Sequence, residues 1–182
     1  MGRKDITKYL SDLLEKHLNP SNDTRIYISK EVSFNCYGGE HTIRVDYMRF
    51  KPVNNYTAEG IENGKFYCYE IKSSVEDFHS KNGHNFIGDY NYYVMPEEVF
   101  EKVKDEIPSN VGVFVPYCGE YYAWLRSVKN AKKQQKRFTT YEMLLMMFRS
   151  ANRETMKKKN KSYNCFRNEV CVKKRSQPFF LF

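Results

Sequence analysis

The chain has 182 residues, of which 41% are hydrophobic and 16% aromatic, with 15 Tyr and 13 Phe. That is enough apolar surface to build a core, so global disorder is excluded and a single domain with a terminal appendage is expected. No apolar run approaches the roughly 18 residues of a membrane span, and the polar start Met1–Asp12 lacks a signal-peptide core, so the expectation is a soluble, cytoplasmic protein with no membrane partner.

The formal net charge is +8. It is unevenly spread. Arg126–Arg175 holds 16 Lys/Arg against 3 Asp/Glu, and the remainder holds 14 basic against 19 acidic residues. A mildly acidic body with a strongly basic C-terminal third points to a polyanion, with nucleic acid the usual one. The alternative is a solvated, solubilising tail. Cys36, Cys68, Cys118, Cys165 and Cys171 are odd in number and scattered, which argues against a disulfide framework or a structural zinc site.

In chain order, residues 4–18 place Ile6, Tyr9, Leu10, Leu13, Leu14 and Leu18 on one helical stripe, ended by Asn19-Pro20. Arg25–Asn35 alternates as a strand, Tyr37–Glu40 reads as a hairpin turn, and Thr42–Phe50 is a second strand. A polar loop over Lys51–Gly64 leads to a third strand, Lys65–Lys72. Ser73–Gly88 reads as a helix start or structured loop broken at Gly83. Tyr90–Met95 is a short strand, and Pro96 fits the first position of a helix running to about Glu106. Val111–Pro116 and Tyr121–Val128 are further strands. Thr139–Met156 is a helix expected to end in Lys157–Lys161. This order gives an α/β fold with a mixed sheet and no internal repeat.

The chemistry gathers on two strands. Period two puts Glu70 and Lys72 on one face of the third strand, with Tyr69 and Ile71 on the other. Asp46 is the one acid among the apolar residues of the second strand, and a meander brings it beside Glu70. Facing carboxylates repel unless a cation sits between them, and carboxylate oxygens with waters and a phosphate suit Mg²⁺ or Mn²⁺. Such an ion activates water, and a lysine beside it can orient that water or neutralise developing charge. Alone, Asp…Glu-x-Lys is a weak pattern that a surface ion pair would also produce.

The stretch Ile43-Arg44-Val45-Asp46 followed by Tyr69-Glu70-Ile71-Lys72-Ser73-Ser74-Val75-Glu76-Asp77-Phe78, with Asn91-Tyr92-Tyr93-Val94-Met95-Pro96 beyond, resembles the PD-(D/E)xK nuclease superfamily and, within it, the MmcB-like branch linked to DNA repair and also carried by phages. The resemblance spans about residues 25–116. It implies a restriction-endonuclease-like αβββαβ core over 1–128, with a basic helical extension over 129–182 packed on or attached to it. It also implies a Mg²⁺-dependent endonuclease or exonuclease acting on DNA in a bacterial cell, host- or phage-encoded, with homodimerisation open. Asp46 and Glu70 would be metal ligands and Lys72 the catalytic lysine.

Glu31 and Glu15 are candidates for an additional acid, Glu31 fitting the branch better. Asp77 reads as a helix cap or a supporting acid. The Gly83-His84-Asn85 loop departs from the branch, and His84 is weighed as a phosphate contact against a packing histidine. Lys132, Lys133, Lys136, Arg137, Lys157, Lys158, Lys159 and Lys161 are the candidate phosphate contacts. Phe138, Tyr163 and Phe166, interleaved with them, are candidates for stacking on bases. The competing expectation is a catalytically inactive nuclease-fold protein serving as a nucleic-acid-binding or phage accessory or inhibitory factor.

Overall fold

The computed structural model describes residues 2–34 and 42–175, with side chains as far as Lys159. Helix α1 (Arg3–Leu18) buries Leu10, Leu13, Leu14 and Leu18, the stripe read from the sequence. It leads into β1 (Tyr27–Phe34) and β2 (Ile43–Lys51). The expected hairpin turn Tyr37–Glu40 lies outside the described residues. The polar loop after β2 contains one short helix, α2 (Ala58–Glu62), started by Thr57, whose hydroxyl accepts from the Gly60 N–H. Strand β3 (Lys65–Ile71) is followed by a single-turn helix, α3 (Val75–Phe78), and then β4 (Tyr90–Val94).

Helix α4 (Glu97–Val103) continues as a 3-10 turn, Lys104–Glu106. Pro96 is its N-cap rather than its first residue, one position earlier in role than expected. Strands β5 (Gly112–Cys118) and β6 (Ala123–Lys129) follow, then α5 (Thr140–Arg175). Thr139 and Glu142 cap α5 reciprocally, the Thr139 N–H donating to Glu142 and the Glu142 N–H to Thr139 Oγ1. The helix does not stop at Lys157–Lys161. Neither Gly nor Pro interrupts 157–175, and Lys and Arg side chains near a helix C-terminus suit its dipole.

The six strands form one sheet in sequence order. β1, β2 and β3 are the expected antiparallel meander, β3, β4 and β5 run parallel, and β6 returns antiparallel. The molecule is therefore α/β with a mixed sheet. Helix α1 covers one face with Tyr47, Tyr69, Ile71 and Val94. On the other, Met143 and Met147 of α5 pack with Met48, Phe66 and Cys68, and Phe78 with α4 packs on Tyr93 and Val113. The first part of α5 thus belongs to the core.

Strict alternation fails at one point. Lys30 pairs across the sheet with Tyr47, and both reach Glu15 on α1. Val32 pairs with Val45, two positions on, yet both join the Met143/Met147 cluster. Between them Glu31 has φ +50°. That left-handed step breaks the pleat, and the position it faces in register is Asp46.

Candidate functional site

The ladder between β2 and β3 runs to Tyr47↔Tyr69, so the next position sets Asp46 opposite Glu70. There the main-chain pairing gives way to a side chain: Asp46 Oδ2 accepts from the Ile71 N–H at 2.9 Å. Burial pushes the Asp46 carboxyl up, against the Ile71 N–H and the charges of Arg44 and Lys72, which hold it down. Glu70 is 1% exposed. Among the described residues neither of its carboxyl oxygens has a hydrogen bond of good geometry, although the Asn85 side chain and main-chain N–H come close enough to lower its pKa. Burial and then the Asp46 charge push its pKa well up, while Lys72 opposes. Asn85 lies near enough to pull slightly the same way as Lys72, but its amide donates to the Arg44 carbonyl. An unpaired carboxyl in a dry niche costs free energy, so its presence needs a reason.

Lys72 is also buried, at 2% exposure. Its Nζ donates to the Asp77 carbonyl at 3.1 Å and to the Asn82 carbonyl. Burial pushes its pKa down, and Asp77, Glu70 and Asp46 push it back up. The loop after α3 closes over this pair. A Cβ on Gly83, which has φ +71°, would lie 3.0 Å from Lys72 Nζ and 3.3 Å from Glu70 Oε2. Glycine suits that approach and that backbone, where a larger residue would be strained.

Asp77 is not the cap of α3. Ser74 is, its hydroxyl accepting from the Asp77 N–H. The Asp77 carboxylate turns back to the Ser73 N–H at 3.0 Å and hydroxyl at 3.1 Å, and takes Arg3 on its other oxygen at 2.6 Å. Burial raises its pKa, but the Ser73 hydrogen bonds and Arg3 outweigh it and hold the group ionised. His84 is a positioning group here: one ring nitrogen meets Tyr93 Oη at 2.5 Å and the other the Ser80 carbonyl at 2.9 Å. Tyr93 is the β4 partner of Glu70.

The structure therefore brings Asp46, Glu70, Lys72 and Asp77 together and leaves other candidates apart. Glu15 lies across the sheet, bound to Lys30 and to Tyr47 Oη. Glu31 faces Asp46 in register, but its side chain reaches Lys157 of α5 at 3.6 Å. Among the described residues, no group of three or more His, Cys, Asp or Glu is arranged to hold a metal ion. Sequence reading missed Ser73, Asn82, Asn85 and Tyr93. The Asn82-Gly83 pair was the one available signal, marking a turn with positive φ.

The basic candidates divide similarly. Lys132, Lys133 and Arg137 are exposed on the segment between β6 and α5. Lys136 is structural, donating to Thr140 and lying 5.5 Å from the Phe66 ring centre. Lys157 pairs with Glu31 and Glu154, Lys158 and Lys159 are exposed, and the Lys161 side chain lies outside the described residues. Phe138 stacks on Phe34 at 4.7 Å and packs against the core, so it is no base platform. The side chains of Tyr163 and Phe166 lie outside the described residues, and Cys68 and Cys118 are free thiols.

No protein-family model matches this chain, and no curated protein does. Among solved structures, a protein of unknown function from Silicibacter pomeroyi is similar at 16% identity and a TM-score of 0.49, over 94% of each chain. Among the described residues, no helix is long and apolar enough to cross a membrane.

Proposed function

We propose that this protein is a divalent-cation-dependent nuclease that hydrolyses phosphodiester bonds in DNA. The observation that carries the reading is Glu70, a fully buried carboxyl with no well-formed hydrogen bond among the described residues, set opposite Asp46. That donor set fits Mg²⁺ or Mn²⁺, which takes one or two carboxylates and completes its shell with waters and substrate phosphate. The order α1, β1, β2, β3, α3, β4 supports a restriction-endonuclease-like αβββαβ core with only α2 inserted.

Glu70 and Asp46 would hold the ion. When bound, it would lower the pKa of a water and offset charge on the phosphoryl oxygens. Lys72 carries its positive head beside both acids, fixed by the Asp77 and Asn82 carbonyls, where it can neutralise a developing oxyanion or move a proton. Asp77, clamped by Arg3 and Ser73, fixes the turn that holds Lys72. The loop through Gly83 keeps bulk water off the carboxyls and must move aside for substrate.

The test is cleavage of DNA by purified protein with Mg²⁺ or Mn²⁺. Glu70→Ala and Lys72→Ala should abolish it, as should EDTA. Cutting that persists in either variant or in EDTA would refute the reading. One observation favours the inactive alternative: the Lys72 head is already occupied by two main-chain carbonyls. Salt-sensitive DNA binding without cleavage, unchanged in Glu70→Ala, would establish that second reading.

A further inference from the structure

The exposed aromatics of this protein are not spread evenly. The turn between β5 and β6 carries Tyr121 at 85% and Tyr122 at 72% exposure, flanked by Tyr117 at 43% and Trp124 at 40%. Three of these rings, Tyr117, Tyr122 and Trp124, form a single cluster. Trp124 packs 4.7 Å from the Tyr117 ring and 5.3 Å from Tyr122, with the Arg126 guanidinium 5.5 Å from the Tyr117 ring centre. Nothing in the fold needs four rings there, because the cores lie under the sheet and this hairpin tip contributes none of these rings to them.

The cluster's position gives it meaning. β3, β4 and β5 are parallel and in register through Ile71, Val94 and Phe114. The Glu70/Lys72 end of β3 and the Tyr117 end of β5 therefore open on the same edge of the sheet. They stand two strands apart, about 10 Å, and the tip rises about 10 Å further. Trp124 and Arg126 alternate with Leu125, which packs toward α1, so they face the α4 side, the side of Tyr93 and Glu70. Helix α1 adds charge at this end: Tyr9 Oη meets Cys118 Sγ at 3.8 Å, and exposed Lys4 and Lys8 lie in the turns before it. Asp5 lies between these two lysines, Glu97 pairs with Arg126 and Glu120 sits in the turn, so charges of both signs surround the tip.

We infer that this hairpin tip is a stacking platform for unpaired bases, and that the substrate is DNA with a single-stranded segment lying across the tip toward Glu70 and Lys72. The inference rests on the nuclease reading above and names its substrate class. Exposed rings with a guanidinium against them are what single strands use, since every base offers a π-face that a duplex keeps stacked internally.

Trp124 is the sole tryptophan, so its emission reports directly on the platform. Wild-type protein is titrated with a deoxythymidine oligomer and with a duplex of equal length at one fixed salt concentration. The single strand should quench Trp124 and bind at least about tenfold tighter. Tyr121→Ala/Tyr122→Ala, a change of exposed side chains, should weaken single-strand binding by about 5- to 150-fold and leave duplex affinity unchanged. Binding with unmoved Trp124 emission, equal affinity for both forms, or equal loss for both in the variant would overturn the platform while leaving the nuclease reading intact. The last two outcomes, with tip residues instead protected by a protein partner, would mark the patch as a polypeptide contact. Absence of binding to either DNA at low salt would overturn the inference together with the reading beneath it.

Discussion

Replacing Glu70 by glutamine should stabilise the cation-free protein. The glutamine keeps the volume and the polarity but cannot ionise in that niche. The gain is therefore the cost of ionising the buried carboxyl, about 1.4 kcal/mol for each pH unit by which its folded pKa is raised. For a chain of this size each kcal/mol moves Tm by about 2–4 °C, so each such unit should be worth roughly 3–5 °C at neutral pH and above. The pH dependence has a definite sign. Burial and Asp46 raise the folded pKa of Glu70 above its unfolded value. Its contribution to stability is then whole below about pH 4.3 and is lost as pH rises through the folded pKa. Glutamine has no such loss, so the variant's advantage should be small near pH 5 and grow toward pH 8. Thermal melts in EDTA across that range measure it. Mn²⁺ should then reverse the order: at one hundred times Kd it adds about 2.7 kcal/mol to the wild type, and it should leave the variant unmoved. A variant less stable by more than about 1 kcal/mol at every pH, or Mn²⁺ raising both melts equally, would refute the reasoning.

Gly83→Ala should lower Tm in the same melts, because alanine at φ +71° costs about 1–2 kcal/mol before its Cβ meets Lys72 Nζ; an unchanged Tm would show that the loop does not hold that approach in solution. Lys72→Met should cost about 2–5 kcal/mol by stranding the Asp77 and Asn82 carbonyls, seen as a lower urea midpoint at unchanged m. If Lys132 and Lys133 contact phosphate, Lys132→Ala/Lys133→Ala should reduce the slope of log affinity against log salt by about 1.8 on duplex DNA, measured by fluorescence anisotropy; an unchanged slope would remove these two from the interface.

Much of this architecture was legible in the sequence. The Leu10/Leu13/Leu14/Leu18 stripe, the three-strand meander and the pairing of Asp46 with Glu70 all follow from apolar periodicity and chain order. What escaped depends on backbone events with no periodic trace. The left-handed residue Glu31 breaks the pleat that alternation assumes, and it turns its own side chain to Lys157 instead of into the site. Asp77 could be read as a cap or as a supporting acid; Ser74 takes the cap and leaves Asp77 to Ser73 and Arg3. Lys132, Lys133 and Lys136 look alike in sequence, but only the structure shows Lys136 spent on Thr140 and Phe66. The aromatic tip was invisible for a related reason: Tyr121, Tyr122 and Trp124 read as an ordinary strand until the turn exposed them.

The hydrogen bond from the Ile71 amide to Asp46 has a consequence for descent. One carboxylate both closes the backbone where β2 and β3 part and faces Glu70. On the proposed nuclease reading, a lineage that stopped cutting DNA would still need Asp46 to keep those strands together. It would be released from Glu70 at once, since burying an unpaired carboxyl only burdens a fold that no longer uses it. On that reading Asp46 would be kept for two reasons and Glu70 for one, so position 70 would separate active from retired copies of this chain and position 46 would not.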